Sequence, residues 1–214
     1  MTYLPDLIAR LERGDRLPAD PWLTVLPAPR PDRAAVLAFP GRVVVAAAVT
    51  PRWVAAALPS DDLGAPLNPP FLSALEAELG LAVNNVDVLL LAGPLQGDPP
   101  EPLRPAPGHD HPRAARARRY RDDVEVLQAD GGVLILGRGL AGRHEAAVEV
   151  DPAHRGTGLG RRLAASARHL TSDGRPVWAQ VAPGNAASLR AFLAAGYTPV
   201  GAEALLLPPG LALG

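Results

Sequence analysis

The spacing of apolar side chains changes its period several times along the first 92 residues. Leu4, Leu7, Ile8 and Leu11 recur at helical spacing, which predicts a short amphipathic helix over residues 4–13. A proline-rich stretch then interrupts the pattern. Beyond it, short apolar runs alternate with turn and capping residues. This predicts strands over 35–39, 42–49 and 86–92, and helices over 52–58 and 71–79.

A second proline-rich segment, residues 93–112, marks the clearest boundary in the chain. Proline fixes φ and has no N–H to donate, so this segment cannot form a helix or an interior strand. We predict a linker or a long surface loop here. The chain is then expected to consist of an N-terminal α/β region at 1–92, this linker, and a C-terminal domain at 113–214.

Regular structure is denser after the linker. Arginines dominate a helical stretch at 113–122. Periodicity and turn residues then predict strands over 124–128, 133–137, 144–150, 177–181 and 199–207, and helices over 158–170 and 186–195. A crossover helix after the third strand indicates a mixed α/β (α+β) sheet flanked by helices.

Composition narrows the class of protein and excludes several chemistries. Hydrophobic residues make up 48% of the 214 residues and charged residues 20%, which is typical of a soluble globular protein. The net charge of -1 provides no basic field, so nucleic acid and anionic membrane surfaces are not expected partners. The chain has neither cysteine nor lysine. Disulfides, a thiolate nucleophile and a lysine Schiff base are therefore excluded.

The apolar runs are too short to cross a membrane. Those at 43–49 and 86–92 have the length of strands, whereas a membrane-spanning helix takes about 20 residues. The N-terminus lacks a basic segment followed by an apolar one, so we expect no signal peptide. The sequence therefore predicts a cytoplasmic protein.

A glycine-rich segment lies between a predicted strand and a predicted helix. It runs from Arg155 through Gly156, Thr157, Gly158 and Leu159 to Gly160. Glycines let backbone N–H groups approach an anion closely, and the helix dipole favours negative charge at this end. Further arginines follow at 161 and 162. The segment is therefore expected to bind a phosphate or a pyrophosphate.

Two common phosphate-binding motifs do not fit this segment. A P-loop requires a lysine that this chain lacks, and the glycine spacing differs from a dinucleotide fingerprint. The stretch from Val150 to Leu163 instead resembles the acyl-CoA-binding motif of the GNAT acetyltransferase superfamily. Arg155, Gly158 and Gly160 fill its defining places, after a strand that ends in Val-x-Pro.

The resemblance continues downstream. Asn185 and Ser188, followed by the pair Gly196 and Tyr197, match the second block of this superfamily. The resemblance is strong over about 147–206 and implies a mostly antiparallel, twisted GNAT-like sheet that binds acetyl-CoA as co-substrate. It also implies that a set of residues contacts CoA: Val148, Val150, Arg155, Gly156, Thr157, Gly158, Leu159, Gly160, Arg161, Asn185 and Ser188.

The chemistry implied by the resemblance is direct transfer of an acetyl or other acyl group to an amine in a ternary complex. The acceptor would be a small amine, or an amino group of a protein. Backbone N–H groups near Val148 to Val150 would polarise the thioester carbonyl. The position that holds a tyrosine acid in many members is Phe192 here, and phenylalanine cannot donate a proton. Tyr197 is a weaker candidate for that acid.

For the general base, the predicted third strand offers His144, Glu145 and Glu149, and two of them are the candidates. An unperturbed histidine titrates near neutral pH, which suits His144, and Glu149 directly precedes the loop. Side chains alternate across a strand, so the two face opposite sides of the sheet. The alternatives are an exposed histidine at a strand end and a solvated glutamate paired with arginine.

Several further features leave their function open. The arginine-rich helix is either a solvated face, a wall for an acidic substrate or a contact to the CoA 3′-phosphate; RNA binding is a minor alternative. His109, Asp110 and His111 form a cluster that we expect to be solvated, so no metal is predicted.

Residues 1–92 are either a degenerate second copy of the fold, or a region that supplies the acceptor pocket or a homodimer surface. The chain as a whole is predicted to be an N-acetyltransferase. The alternatives are a non-catalytic acyl-CoA-binding or regulatory module with the same fold and, more weakly, a scaffold that binds nothing.

Overall fold

The computed structural model describes residues 3–59, 62–108, 110–171 and 173–212. These residues form two compact units. One unit consists of Met1–Val88 with Val200–Gly214, and the other of Leu89–Pro199. The last strand of the chain thus belongs mainly with the first 88 residues. The predicted domain limits stay a prediction.

The first unit combines a small sheet with helices. Its elements are α1 (Leu4–Glu12), β1 (Leu23–Leu26), β2 (Ala34–Phe39), β3 (Arg42–Ala46), α2 (Pro51–Ala57), α3 (Pro69–Leu79), most of β10 (Thr198–Leu207) and α7 (Pro209–Ala212). Its strands lie in the order β1-β3-β2-β10. β1 and β3 are parallel, and the other two pairs are antiparallel. β4 (Ala82–Ala92) begins in this unit and ends in the other.

The core of the first unit is built on one face of its sheet. Val43 and Val45 of β3 and Val36 of β2 are buried there. They pack with Phe71 and Leu75 of α3, because a strand exposes every second side chain to the same face. This unit is therefore a well-packed layer of helices on a sheet.

The second unit holds the segment with the glycine-rich loop. Its elements are the end of β4, β5 (Arg104–Pro105), α4 (Pro112–Tyr120), β6 (Asp122–Ala129), β7 (Gly132–Arg138), β8 (His144–Val150), α5 (Leu159–Ala167), β9 (Val177–Val181) and α6 (Ala186–Ala194). The strands lie in the order β9-β8-β7-β6-β5. Only β8 and β9 are parallel among these pairs of the described chain.

The two faces of this second sheet are covered by different helices. On one face, Ala114 and Ala117 of α4 pack with Val126, Val133 and Ile135 of the sheet. On the other face lies α5, which contacts β7 and β8. The predicted fold class, a mixed and mostly antiparallel sheet flanked by helices, is confirmed.

The predicted strands and helices occur in the predicted order, but two short strands and the final helix, α7, were missed. β1 lies within the first proline-rich stretch, and β5 lies within the predicted linker. β5 is the edge strand at the end of the order. A proline can occupy this position because one side of an edge strand forms no ladder hydrogen bonds, so the missing N–H costs none. Among the described residues, every helix is too short or too polar to cross a lipid bilayer.

The predicted linker is fixed along α5 in the second unit. Leu95 N–H donates to the carbonyl of Arg168 at 2.8 Å, and the Arg168 Nε donates to the Gly93 carbonyl at 2.8 Å. Glu101 accepts from Arg162 Nε at 2.6 Å. The segment is thus a surface loop with specific contacts rather than a loose tether.

Candidate functional site

The parallel strands β8 and β9 separate along their length. They pair only through His144↔Val177 and Glu145↔Trp178 within the described chain. The rest of β8, from Ala146 onward, therefore has a backbone edge without ladder partners on β9. An open strand edge can accept another extended chain, since its N–H and C=O groups still require partners.

The groups on this open edge can be assigned from one hydrogen bond. Asp151 N–H donates to the carbonyl of Gly131, which precedes β7, at 2.9 Å. Backbone groups point to alternate sides along a strand. The N–H and C=O groups of Ala146, Val148 and Val150 therefore point away from β7, into the gap between β8 and β9.

Two arginines cover this edge from outside. The Val148 carbonyl accepts from Arg113 Nη2 at 3.4 Å, and the Val150 carbonyl accepts from Arg155 Nε at 3.4 Å. The carboxylate of Glu149 lies between them, 3.4 Å from Arg113 Nε and 4.0 Å from Arg155 Nη2. These three side chains are partly exposed, so they can move when a ligand enters.

The glycine-rich loop leads from β8 into α5 through a tight turn. A 3₁₀ turn spans Pro152–His154, and the Thr157 hydroxyl donates to the His154 carbonyl at 2.7 Å. Gly156 and Gly158 then adopt φ values of 78° and 80°. This left-handed conformation is costly for any residue with a side chain, which explains glycine at both positions.

The N-terminus of α5 has backbone donors that the helix does not use. The first helical hydrogen bond runs from Arg162 N–H to the Gly158 carbonyl, at 3.1 Å. The N–H groups of Leu159, Gly160 and Arg161 come before that bond. No side chain caps this helix start within the described chain. These donors and the helix dipole form a site for an anion.

Packing fixes α5 in place beside β8. A Cβ added at Gly160 would lie 3.5 Å from Val150 Cγ2 and 3.6 Å from Ala191 Cβ, at ordinary van der Waals contact, so the start of α5 lies close to both residues. The Arg162 guanidinium is bound to Glu101 and also donates to the Thr157 carbonyl at 3.1 Å. The loop is thus braced from within the same unit.

The start of α6 completes the site. Asn185 is the N-cap residue, and its side chain accepts from Ser188 N–H at 3.0 Å. Ala187, Arg190 and Ala191 follow on one face of α6 at helical spacing. The small alanine side chains leave room in front of the loop.

These elements enclose a cavity of about 770 Å³. All CoA-contacting residues predicted from the sequence line it, except Thr157, whose hydroxyl closes the loop turn. Its charge is strongly positive, because a single carboxylate, Glu149, faces a set of arginines in the lining: Arg113, Arg155, Arg161 and Arg190. The size and charge suit a ligand that carries several phosphates.

Comparison with known proteins assigns the family of this segment. Residues 145–204 match the family model described as FR47-like protein. This match supports the predicted resemblance of the segment to the GNAT superfamily. The match covers β9 and most of the elements that line the cavity, namely the end of β8, the glycine-rich loop, the start of α5 and α6. Arg113 of α4 also lines the cavity and lies outside the matched residues.

Two solved structures are similar to the chain at low sequence identity. A GCN5-related N-acetyltransferase from Kribbella flavida is 20% identical, with a TM-score of 0.40, and the match covers 66% of this chain and 65% of that one. A GCN5-related N-acetyltransferase from Sphaerobacter thermophilus is 16% identical, with a TM-score of 0.40, over 63% of this chain and 54% of that one. The chain thus spans less than two thirds of both. No curated protein sequence gives a significant match.

The two predicted bases lie at opposite ends of β8. Glu149 lines the cavity. His144 lies about 17 Å away, at a rise of ~3.3 Å per residue, and does not line it. The imidazole Nε2 of His144 lies 2.8 Å from Asp173 and 2.7 Å from Arg138. The structure therefore brings only Glu149 to the predicted CoA residues.

Two aromatic residues at the end of the resemblance, Phe192 and Tyr197, lie in the core of the second unit. Phe192 and Tyr197 are both 2% exposed and pack edge to face, with ring centroids 4.9 Å apart. The Tyr197 hydroxyl donates to the Ala164 carbonyl at 3.2 Å. Burial raises the pKa of Tyr197 far above its ordinary value. Tyr197, the weaker candidate for the acid that protonates the thiolate, therefore has its hydroxyl in the core and does not line the cavity.

The histidine cluster of the linker is only partly described. His109 lies outside the described residues. His111 is the N-cap of α4, where its Nδ1 accepts from Arg113 N–H at 3.1 Å. Within the described chain, no three side chains of the metal-binding types lie together as a metal site would require.

Sequence analysis missed a buried ion-pair network where β8 and β9 separate. Glu145 accepts from Arg121 Nε and Arg143 Nε, both at 2.7 Å. Arg121 also donates from Nη2 to Gln180 of β9 at 3.1 Å, so it joins the two strands beyond their last ladder pair. Arg143 lies over the Trp178 ring, 5.1 Å from its centroid. No local pattern in the sequence signals this network.

This network should make the stability of the second unit depend on pH. Burial alone would raise the pKa of Glu145, but the guanidinium groups of Arg143 and Arg121 outweigh it and lower the pKa from 4.5 to about 2. The ionised form is therefore stabilised in the fold. Its contribution, up to about 3 kcal/mol, is complete above pH 4.5 and is lost as the pH falls towards 2.

Urea unfolding of the wild type and of Glu145→Gln at pH 6 and pH 3 measures this contribution. The difference in unfolding free energy between the two proteins should be large at pH 6 and shrink at pH 3. A difference that stays constant over this range would contradict the assignment.

Proposed function

We propose that this protein is an N-acyltransferase that moves an acetyl group from acetyl-CoA to an amine. The observation that carries the proposal is the cavity of about 770 Å³. It combines the unused N–H groups of a helix start, the open edge of β8 and several guanidinium groups. That the protein is cytoplasmic and that it forms homodimers both stay predictions.

The donors of the cavity fit the chemical groups of CoA. The N–H groups at the start of α5 suit a pyrophosphate, because they combine hydrogen bonds with the helix dipole. Arg155, Arg161 and Arg190 suit phosphate oxygens by charge. The open N–H and C=O groups of Val148 and Val150 suit the amides of the pantetheine arm, as a strand edge suits an added strand.

The reaction needs a neutral amine and a polarised thioester carbonyl. The acetyl-CoA thioester supplies the activated acyl group, and its thiolate takes up a proton after the carbon–sulfur bond breaks. We assign Glu149, which lines the cavity, as the base that removes the amine proton. We assign polarisation of the carbonyl to the outward N–H groups of β8.

A second function is favoured by one observation. Phe192 occupies the place of the tyrosine acid and is buried, and the Tyr197 hydroxyl is bonded within the core. A domain that binds acyl-CoA without transferring the acyl group would need no acid in the cavity. The second proposal is therefore a non-catalytic acyl-CoA-binding module.

Replacing Glu149 with glutamine distinguishes the two proposals. For an acyltransferase we expect kcat to fall roughly 100-fold, since a general base contributes about 10²- to 10⁴-fold. Thiol release from acetyl-CoA with a panel of amines measures kcat, and titration calorimetry measures acetyl-CoA binding.

Glu125→Gln is the matched control, because Glu125 is an exposed carboxylate on β6 outside the cavity lining. Clear acetyl-CoA binding without thiol release from any amine would support the binding module instead. Absence of acetyl-CoA binding would overturn both proposals.

A further inference from the structure

A second cavity of about 430 Å³ lies beside the CoA cavity and shares walls with it. Arg113, Glu149 and Val150 line both cavities. The remaining lining comes from the start of α4 and the end of β8: His111, Pro112, Arg116, Asp151 and Pro152. A ligand in this second cavity would therefore lie next to the carboxylate that we assign as the base.

The second cavity lies on the α4 face of the sheet. Ala147 packs against the core group under α4, and Glu149, two residues later, shares its face of β8. Arg113 and Arg116 are three positions apart on α4 and so project from the same side of the helix. The cavity thus has guanidinium groups on its helix wall and carboxylates on its strand wall.

Arg116 is held in place by an aromatic ring. Its guanidinium carbon lies 5.2 Å from the centroid of the Tyr120 ring, one turn further along α4. A cation over a ring is attracted by the ring quadrupole, which restricts its positions. Arg116 lines the second cavity but not the first, so it can contact an acceptor without contacting CoA.

The composition of this cavity selects a class of ligand. Carboxylates of Glu149 and Asp151 suit an amino group, and the guanidinium of Arg116 suits a carboxylate. Only prolines and one valine give apolar contact, and no phenyl or indole ring belongs to the described lining. A polyamine would face like charge on the helix wall. An aromatic or long aliphatic amine would find little apolar surface.

We propose that this second cavity binds the acceptor, and that the acceptor is a small amine that also carries a carboxylate, as a free amino acid does. This rests on the acyl transfer proposed above. The amino group lies at Glu149 and Asp151, and the carboxylate lies at Arg116. In the reaction the neutral amine nitrogen bonds to the acyl carbon and the carbon–sulfur bond breaks. The nitrogen's proton passes to Glu149, and CoA leaves as a thiolate that takes up a proton from solvent.

Binding of matched ligand pairs tests the proposal. Each pair is an amino acid and the amine that remains without its carboxylate: alanine with ethylamine, leucine with 3-methylbutylamine, and phenylalanine with phenethylamine. Titration calorimetry on the whole protein, with and without CoA, gives the affinities. Thiol release from acetyl-CoA is recorded separately for every ligand. We expect at least one amino acid to bind roughly tenfold or more tightly than its amine.

The variant Arg116→Met should remove most of that preference and leave acetyl-CoA affinity unchanged. Arg118→Met is the matched control on the same helix, since Arg118 is exposed and lines neither cavity. The proposal is overturned if no amino acid binds, if the amines bind equally well, or if Arg116→Met has no effect. A peptide amino terminus that binds independently of Arg116 would also overturn it.

The two proposals fail in different ways. If amino acids bind in an Arg116-dependent manner but no thiol is released, the second cavity is supported as an amino acid site and acyl transfer is rejected. If thiol is released with amines that lack a carboxylate, at the same rate in Arg116→Met, acyl transfer stands and the acceptor class is rejected.

Discussion

Replacing Glu145 with glutamine is expected to lower the free energy of unfolding of the second unit, Leu89–Pro199, by about 3 to 5 kcal/mol. The Glu145 side chain is 4% exposed and the Arg143 side chain is fully buried. Glutamine keeps the shape of the side chain but removes its charge. Arg121 and Arg143 would then lose the carboxylate that both contact, and the cost of burying their charges would be less well offset.

Equilibrium unfolding in urea at neutral pH, followed by circular dichroism, measures this loss. Glu125→Gln is again the matched control, because it removes an exposed carboxylate from the same sheet. It should change the unfolding free energy by less than about 0.5 kcal/mol. A loss of under about 1 kcal/mol for Glu145→Gln would mean that solvent reaches the network. The Glu145 carboxylate is also closely packed, since a methyl group added at Gly139 would overlap it.

The residues that line the cavity of about 770 Å³ could be predicted from sequence because they are local. The loop from Arg155 to Gly160 joins one strand to the next helix, so its chemistry follows from residues adjacent in the chain. The ion-pair network is the opposite case. Arg121 is separated by 24 residues from Glu145 and by 59 from Gln180. Their meeting depends on how β8 and β9 pair, and no periodicity encodes that.

The choice between the two predicted bases also depended on strand pairing. Strand alternation correctly separates the faces of His144 and Glu149, but it does not tell which end of a strand lies open. β8 pairs with β9 at its first residues and is open at its last. That geometry brings Glu149 to the cavity and leaves His144 bound to Asp173 at the paired end.

The short strands that sequence analysis missed have a common physical cause. β1 and β5 both lie at an end of the strand order, next to prolines that suppress any strand signal. Their formation depends on a neighbouring strand that supplies hydrogen bonds. β5 consists of only two residues, paired with Gln128 and Leu127. Local propensity therefore predicted the interior of the fold well and its edges poorly.

Replacing Gly158 with valine should weaken acetyl-CoA binding roughly a thousandfold, if the proposed cofactor site is correct. Gly158 has a φ of 80°, which a β-branched residue does not tolerate, so the loop must change conformation. The N–H groups of Leu159 and Gly160 then no longer converge on one anion. Losing two charge-assisted hydrogen bonds of about 2 kcal/mol each accounts for an effect of this size. Titration calorimetry with acetyl-CoA and with CoA measures the loss.

Gly174→Val separates this loss from simple backbone strain. Gly174 also has a positive φ, 67°, lies in the same unit, has open space around its missing side chain, and does not line the cavity. Both variants should lose about 1 to 3 kcal/mol of stability, because in each the turn must leave the left-handed conformation that only glycine adopts readily. Only Gly158→Val should lose affinity. Equal affinity losses in the two variants would mean that strain, rather than the loss of backbone donors at the start of α5, governs binding, and the anion site would have to lie elsewhere in the cavity.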